Sequence, residues 1–253
     1  MRKMVLLIFG LFLFFAGGGA KTILFIGDSI TDGNWGSPTK YPCSSDEHNQ
    51  SDLNHILGHG FVEMISGYFM GEFPDSNYFF INRGISGETL QQIASRWNRD
   101  AMAYKPDVIS LLCGTNNVHY WLESNPSSVN EFDFLAYEST LDSLINETRE
   151  NLPESSIFIC TPFVANVGRI GEAPNYPLRQ QAIDSIAAIT REIVKRDGSG
   201  KVYLVDFHDL KETLLKENGN ASYWIWDGIH PTTAMHHRMS QLWINSAKSS
   251  REF

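Results

Sequence analysis

A chain of 253 residues and 28.6 kDa, with 42% hydrophobic and 12% aromatic residues, supports one globular core. That composition excludes disordered, collagen-like and coiled-coil proteins. With 20 Lys and Arg against 29 Asp and Glu, the formal charge is −9, which leaves no electrostatic footprint for nucleic acid or an anionic membrane.

The chain opens on Arg2 and Lys3, then an apolar run over 5–16, then Gly17, Gly18, Gly19 and Ala20. A charged head, a short apolar stretch and a small-residue exit predict a secretory signal peptide over 1–20, with an uncleaved anchor as the other reading. Its removal leaves a single domain over 21–253 in a secreted or periplasmic setting, with no stable membrane insertion. Five near-continuously apolar runs lie beyond it, at 22–27, 78–82, 108–113, 157–160 and 202–207. They read as parallel strands covered on both faces. Helical patterns lie between and after them, at 61–70, 89–102, 131–151, 178–196 and 232–247. This alternation predicts an α/β fold on a five-stranded parallel sheet, with chemistry at the carboxyl ends of the strands. Two long irregular segments, 34–60 and 162–177, either line that site or decorate the far surface. Cys113 and Cys160 fall in strand-like runs and read as buried thiols, while Cys43 lies in a polar loop. None of the three has the spacing of a zinc site.

Four strand-end or turn motifs carry the chemistry. Strand one ends in Gly27-Asp28-Ser29-Ile30-Thr31-Asp32-Gly33, which exposes the Ser29 hydroxyl or simply caps a turn. Trp226-Asp227-Gly228-Ile229-His230-Pro231 puts a carboxylate three residues ahead of an imidazole, with Pro231 suited to begin a helix. Asp227 orients His230, and His230 takes the Ser29 proton, if the three converge. Donors for an oxyanion are available in Asn82-Arg83-Gly84-Ile85-Ser86-Gly87-Glu88-Thr89 and in Gly114-Thr115-Asn116-Asn117. The glycine-rich stretch lacks the G-x-G-x-x-G spacing of a dinucleotide loop.

In chain order, these four blocks resemble those of the SGNH (GDSL-type) hydrolases over nearly the whole mature chain. The resemblance implies a three-layer α/β/α sandwich with a flavodoxin-like parallel sheet, in agreement with the strand pattern. It implies a serine carboxylic ester hydrolase with Ser29, Asp227 and His230 as the triad. By the same resemblance the Ser29 and Gly87 N–H groups and the Asn116 side-chain amide form the oxyanion hole, and no metal or cofactor is needed. Asn117 stands where the family more often has Asp, a departure that leaves the mechanism untouched.

The substrate is less legible. Trp35, Tyr41, Tyr120, Trp121, Trp224 and Trp226 gather near the predicted rim, where rings stack on sugars, line an acyl pocket or pack. Exported SGNH relatives often remove acetyl groups from sugars, and the loop carrying Asn54-His55 and Gly58-His59-Gly60 resembles that of such bacterial members. The expectation is a carbohydrate O-acetylesterase acting on an oligosaccharide or polysaccharide ester. Asp28, Trp35, His59, Asn117 and Trp226 are the candidate substrate contacts. The rivals are a lipolytic esterase, lysophospholipase or thioesterase and, more remotely, a noncatalytic carbohydrate-binding protein. His55 and His59 lack the Glu of H-E-x-x-H and read as loop packing or substrate lining. His208 and Asp209 read as caps of the helix after strand five.

Overall fold

The computed structural model describes residues 21–36, 44–48, 55–250 and 252–253. The expected signal peptide, Tyr41, Cys43 and Asn54 lie outside them. In chain order, β1 (Thr22–Gly27) runs into the single helical turn α1 (Ser29–Asp32), and α2 (Phe61–Glu72) precedes β2 (Phe79–Gly84). Next come α3 (Leu90–Ser95), α4 (Trp97–Asp100), β3 (Val108–Leu112), α5 (Thr115–Ser124) and α6 (Phe134–Asn151). Then come β4 (Ser156–Cys160), α7 (Gly168–Gly171), α8 (Tyr176–Arg196) and β5 (Val202–Val205). The chain closes with α9 (Phe207–Glu217), α10 (Ala221–Trp224) and α11 (Thr233–Ser250).

The five strands are all parallel, in the order β2-β1-β3-β4-β5. α2 and α11 pack together on one face, and α3, α5, α6 and α8 form the layer on the other, which makes an α/β/α sandwich. Both faces of β1 are covered, so Ile23, Leu24, Phe25 and Ile26 are all buried and the run is apolar without alternation. Trp243 of α11 is the centre of one interlayer. Its ring lies 5.2 Å from Phe25 and 5.1 Å from Phe158, and Nε1 donates to Ser110 Oγ at 3.0 Å. Cys113 and Cys160 are buried free thiols, and burial pushes the Cys160 thiol up to about 12.

Register brings the strand ends level. Gly27 pairs with both Gly84 and Leu112, Leu112 with Cys160, and Cys160 with Val205. The segments leaving the carboxyl ends of the strands therefore emerge on one rim. A side chain at Gly27 would meet Leu112 O at 2.3 Å, so this crowded crossing from strand to turn admits only glycine.

Several sequence expectations are corrected. The helix expected over 89–102 breaks at Arg96 (φ −114°, ψ 7°), whose guanidinium forks between Glu88 at 2.5 Å and Asp100 at 3.0 Å. α5 escaped a reading based on apolar periodicity because Val118 and Leu122 are its only buried apolar side chains. Strand five stops at Val205 because Asp206 caps α9 by accepting from the Asp209 N–H, so His208 and Asp209 lie inside that helix. α11 begins at Thr233, one residue after the expected start at 232, and Pro231 before it is held in an antiparallel bridge with Ile225. Among the described residues, no helix is long and apolar enough to cross a membrane.

Candidate active site

Asp28, between β1 and α1, accepts from the Ile30 N–H at 3.1 Å and caps the turn that Ser29 begins. The first N–H groups of a helical turn have no intrahelical acceptor, so the Ser29 N–H is available to a ligand. Across the rim, Asp227 and His230 occupy a turn clasped from two sides. Trp226 N–H donates to His230 O at 3.1 Å, while Ala165 and Ile170 of the 162–177 segment donate to Gly228 O and Asp227 O at 2.9 and 3.0 Å. That long irregular segment thus shapes the site.

Ser29 Oγ lies 2.9 Å from His230 Nε2, and His230 Nδ1 lies 2.7 Å from Asp227 Oδ2, although 201 positions separate Ser29 from His230. The other Asp227 oxygen accepts from the Ile229 and His230 N–H groups at 2.9 and 2.8 Å. A carboxylate only accepts, so Nδ1 carries the proton and Nε2 presents its lone pair to the Ser29 hydroxyl. Burial alone would raise Asp227. The His230 hydrogen bond, the two backbone N–H groups and the His230 charge win, and hold its carboxyl at about 2. Burial works against a charged His230, but Asp227 and then Asp28 outweigh it and raise the imidazole above its ordinary value.

The loop after β2 closes the rim. Gly87 has φ +83°, a left-handed conformation that favours glycine, and Asn116 Nδ2 donates to Glu88 O at 3.0 Å beside it. Tyr120 Oη donates to Gly87 O at 2.9 Å. Asp32, at the end of α1, accepts from the Ser86 N–H at 2.9 Å and the Ser86 hydroxyl at 2.6 Å. These contacts tie the Gly87 turn to α1, which Ser29 begins, and to α5, which carries Asn116.

The candidate substrate contacts divide. Trp226 is 62% exposed and its ring lies 6.0 Å from that of His230, roughly parallel to it. His59 is half exposed, 3.9 Å from Glu63 and ring to ring with His55. Trp35, expected to face a substrate, is packed under the end of β2 instead: it is 1% exposed, stacked on His48 and donating Nε1 to Gly84 O at 2.7 Å. Asp28 is buried as a cap, and Asn117 is spent on α3, accepting from the Leu90 N–H at 3.0 Å and donating to Gln91 at 2.6 Å. Of the other aromatics, Tyr120 is exposed and Trp224 is buried. The sequence reading missed the Asp32–Ser86 clamp. Asp32 stands in the first motif, but no local pattern pairs it with a serine 54 positions on.

A parallel α/β/α sheet whose rim carries a Ser–His–Asp relay beside a glycine turn and a side-chain amide has the layout of a serine ester hydrolase. The model of the GDSL-like lipase/acylhydrolase family matches residues 25–238, and the chain belongs to that family, as a serine carboxylic ester hydrolase. It is 30% identical over 221 residues to an acetylxylan esterase of Geobacillus stearothermophilus, covering 87% of this chain and 90% of that protein. Among solved structures, a catalytic mutant of Axe2, an acetylxylan esterase from Geobacillus stearothermophilus, superposes with a TM-score of 0.69 at 26% identity, covering 90% of this chain and 94% of the other. A putative GDSL-like lipase from Parabacteroides merdae gives 0.70 at 28% identity, covering 90% and 95%.

Proposed function

We propose that Ser29, His230 and Asp227 are the catalytic triad and that the chain removes acetyl groups from a carbohydrate through an acyl-enzyme. The observation that carries this is the unbroken relay, 2.9 Å then 2.7 Å, from hydroxyl to imidazole to carboxylate. His230 takes the Ser29 proton as Oγ attacks the ester carbonyl. The Ser29 and Gly87 N–H groups and the Asn116 amide receive the oxyanion, each donor worth about 3 kcal/mol in the transition state. His230 then protonates the leaving alcohol and activates the water that releases acetate.

Two features support the substrate class. The exposed Trp226 face beside His230 suits stacking on a sugar ring. Axe2 is an acetylxylan esterase, and its solved catalytic mutants replace a serine, an aspartate and a histidine three positions after that aspartate. Asp227 and His230 have that spacing. The N-terminal pattern over 1–20 supports export. The test is acetate release from acetylated xylan, pectin, sialic acid and aryl esters, alongside aryl esters of longer acyl chains. We expect acetylated sugars to be preferred. Ser29→Ala should lower kcat by about 10⁴-fold or more. Preference for long acyl chains with no response to acetylated sugars overturns the substrate in favour of a lipolytic enzyme. Undiminished turnover in Ser29→Ala overturns the triad.

A further inference from the structure

Asn117, Tyr120, Trp121 and Ser124 stand at i, i+3, i+4 and i+7 on α5 and so share one face of it. All four line a cleft of about 440 Å³, a size that suits a small ligand. Gln91 of α3 also lines it, as do Asn125, Phe132 and Asp133 between α5 and α6. The cleft meets the candidate active site at Tyr120, whose Oη donates at 2.9 Å to the carbonyl of Gly87, the proposed oxyanion glycine. Tyr120 is 44% exposed, and Gln91, Ser124 and Asp133 are exposed too, so the cleft opens to solvent. Along α5, the path from Asn116 to Ser124 spans about 12 Å, longer than one sugar ring.

Two rings are fixed before a ligand arrives. Its bond to Gly87 holds Tyr120, while Trp121 Nε1 donates to Ser128 O at 2.9 Å and Phe132 meets the indole edge-on, 5.9 Å away at 86°. Preset aromatic faces lose little freedom on binding. Around them stand amides, a hydroxyl and one carboxylate, Asp133, which spends one oxygen on the Ala136 N–H at 2.8 Å. Among the described residues lining the cleft, none is basic. Rings set among amides match a neutral ligand that is apolar on its faces and hydroxylated at its edges, as a sugar is. An acyl chain would strip water from Gln91, Asn125 and Asp133 and replace none of it. We propose that this cleft is a glycan-chain subsite. The sugar that carries the acetyl group sits at Ser29, and neutral sugars next to it in the same chain cross Tyr120 and stack on Trp121. The preferred substrate is then an acetylated oligosaccharide or polysaccharide and not a free acetylated monosaccharide. This rests on the carbohydrate-ester reading of the triad and adds to it where the chain runs.

The experiment compares kcat/KM for acetylated xylose with kcat/KM for acetylated xylo-oligosaccharides of increasing length, with an aryl acetate as reference. In parallel, unacetylated xylo-oligosaccharides, xylose and decanoate are tested as inhibitors of aryl acetate hydrolysis. We expect the longer chains to be favoured over the monosaccharide by about tenfold or more, the scale of one aromatic contact, with the gain in KM. The unacetylated chains should inhibit, and xylose and decanoate should not. Trp121→Leu should bring the long-to-short ratio close to one, and that ratio does not depend on how much of the variant folds. Ser124→Met, at an exposed position at the end of α5, lays a longer side chain into the cleft without loading the core and should lower the same ratio. Equal kcat/KM for short and long acetylated sugars overturns the subsite and leaves the carbohydrate reading standing, as does a long-to-short ratio that neither variant changes. Stronger inhibition by decanoate than by the xylo-oligosaccharides gives the cleft to an acyl chain and overturns the subsite as well. Cleavage of aryl acetate but of no acetylated sugar overturns both.

Discussion

At the residue scale, the unusual charge is Asp28. It caps the Ser29 turn from a buried position, and burial raises its carboxyl from 3.8 to about 6, against the Ile30 N–H and His230, which lower it. A carboxyl raised on folding costs stability in its ionised form. The cost is absent below pH 3.8, grows as pH rises towards 6, and is complete above it. Asp28→Asn keeps the capping oxygen and removes the charge. It should stabilise the protein by at most about 3 kcal/mol at pH 8 and by almost nothing at pH 4, read from Tm at the two pH values. The same charge helps to raise His230, so the acid limb of the kcat/KM profile should move to lower pH in this variant. A stabilised variant with an unmoved limb would mean that Asp28 does not act on the imidazole. Asp28 was legible in the sequence as part of the first motif, but its burial was not, because burial depends on what β2 and β3 bring alongside.

At the level of elements, the loop between β2 and α3 is held from several directions. Asp32 takes Ser86, Tyr120 takes Gly87, and the Thr89 capping box with Gln92 closes the start of α3. Only the strand and the helix start were visible in the local pattern. The ties run to α1 and α5, and α5 itself was hidden because polar residues dominate it. Asp32 is a positioning residue in this arrangement, since it acts on a proposed oxyanion donor through the Ser86 backbone. Its two oxygens accept from the Asn34 N–H, from the Ser86 N–H and from the Ser86 hydroxyl. An alanine removes both acceptor oxygens and orphans all three donors. Asp32→Ala should therefore lower kcat by about ten- to a hundredfold, less than the loss of a whole oxyanion donor, with KM little changed. A rise in KM at constant kcat would place Asp32 in substrate binding instead.

For the whole molecule, the sheet is what makes distant motifs meet. Apolar runs and their helical spacers announced a parallel sheet, and the parallel sheet announced a rim. The strand order and the clasp that the 162–177 segment makes on the Asp227 turn come from tertiary contacts that no local window contains. If the site depends on this frame and not on any single core contact, weakening the core should cost stability without changing chemistry. Trp243 tests this, being remote from the rim and central to the interlayer between β1, β4 and α11. Trp243→Phe keeps an aromatic ring but removes the bond to Ser110 and leaves a void where the indole was. It should cost about 2–4 kcal/mol, seen as a lower urea midpoint at unchanged m-value. Per folded molecule, kcat and KM should stay as they are, because the strand ends are held level by backbone pairing that this side chain does not make. A loss of kcat larger than the loss of folded protein would show that the relay is tuned through the core and not only placed by the sheet.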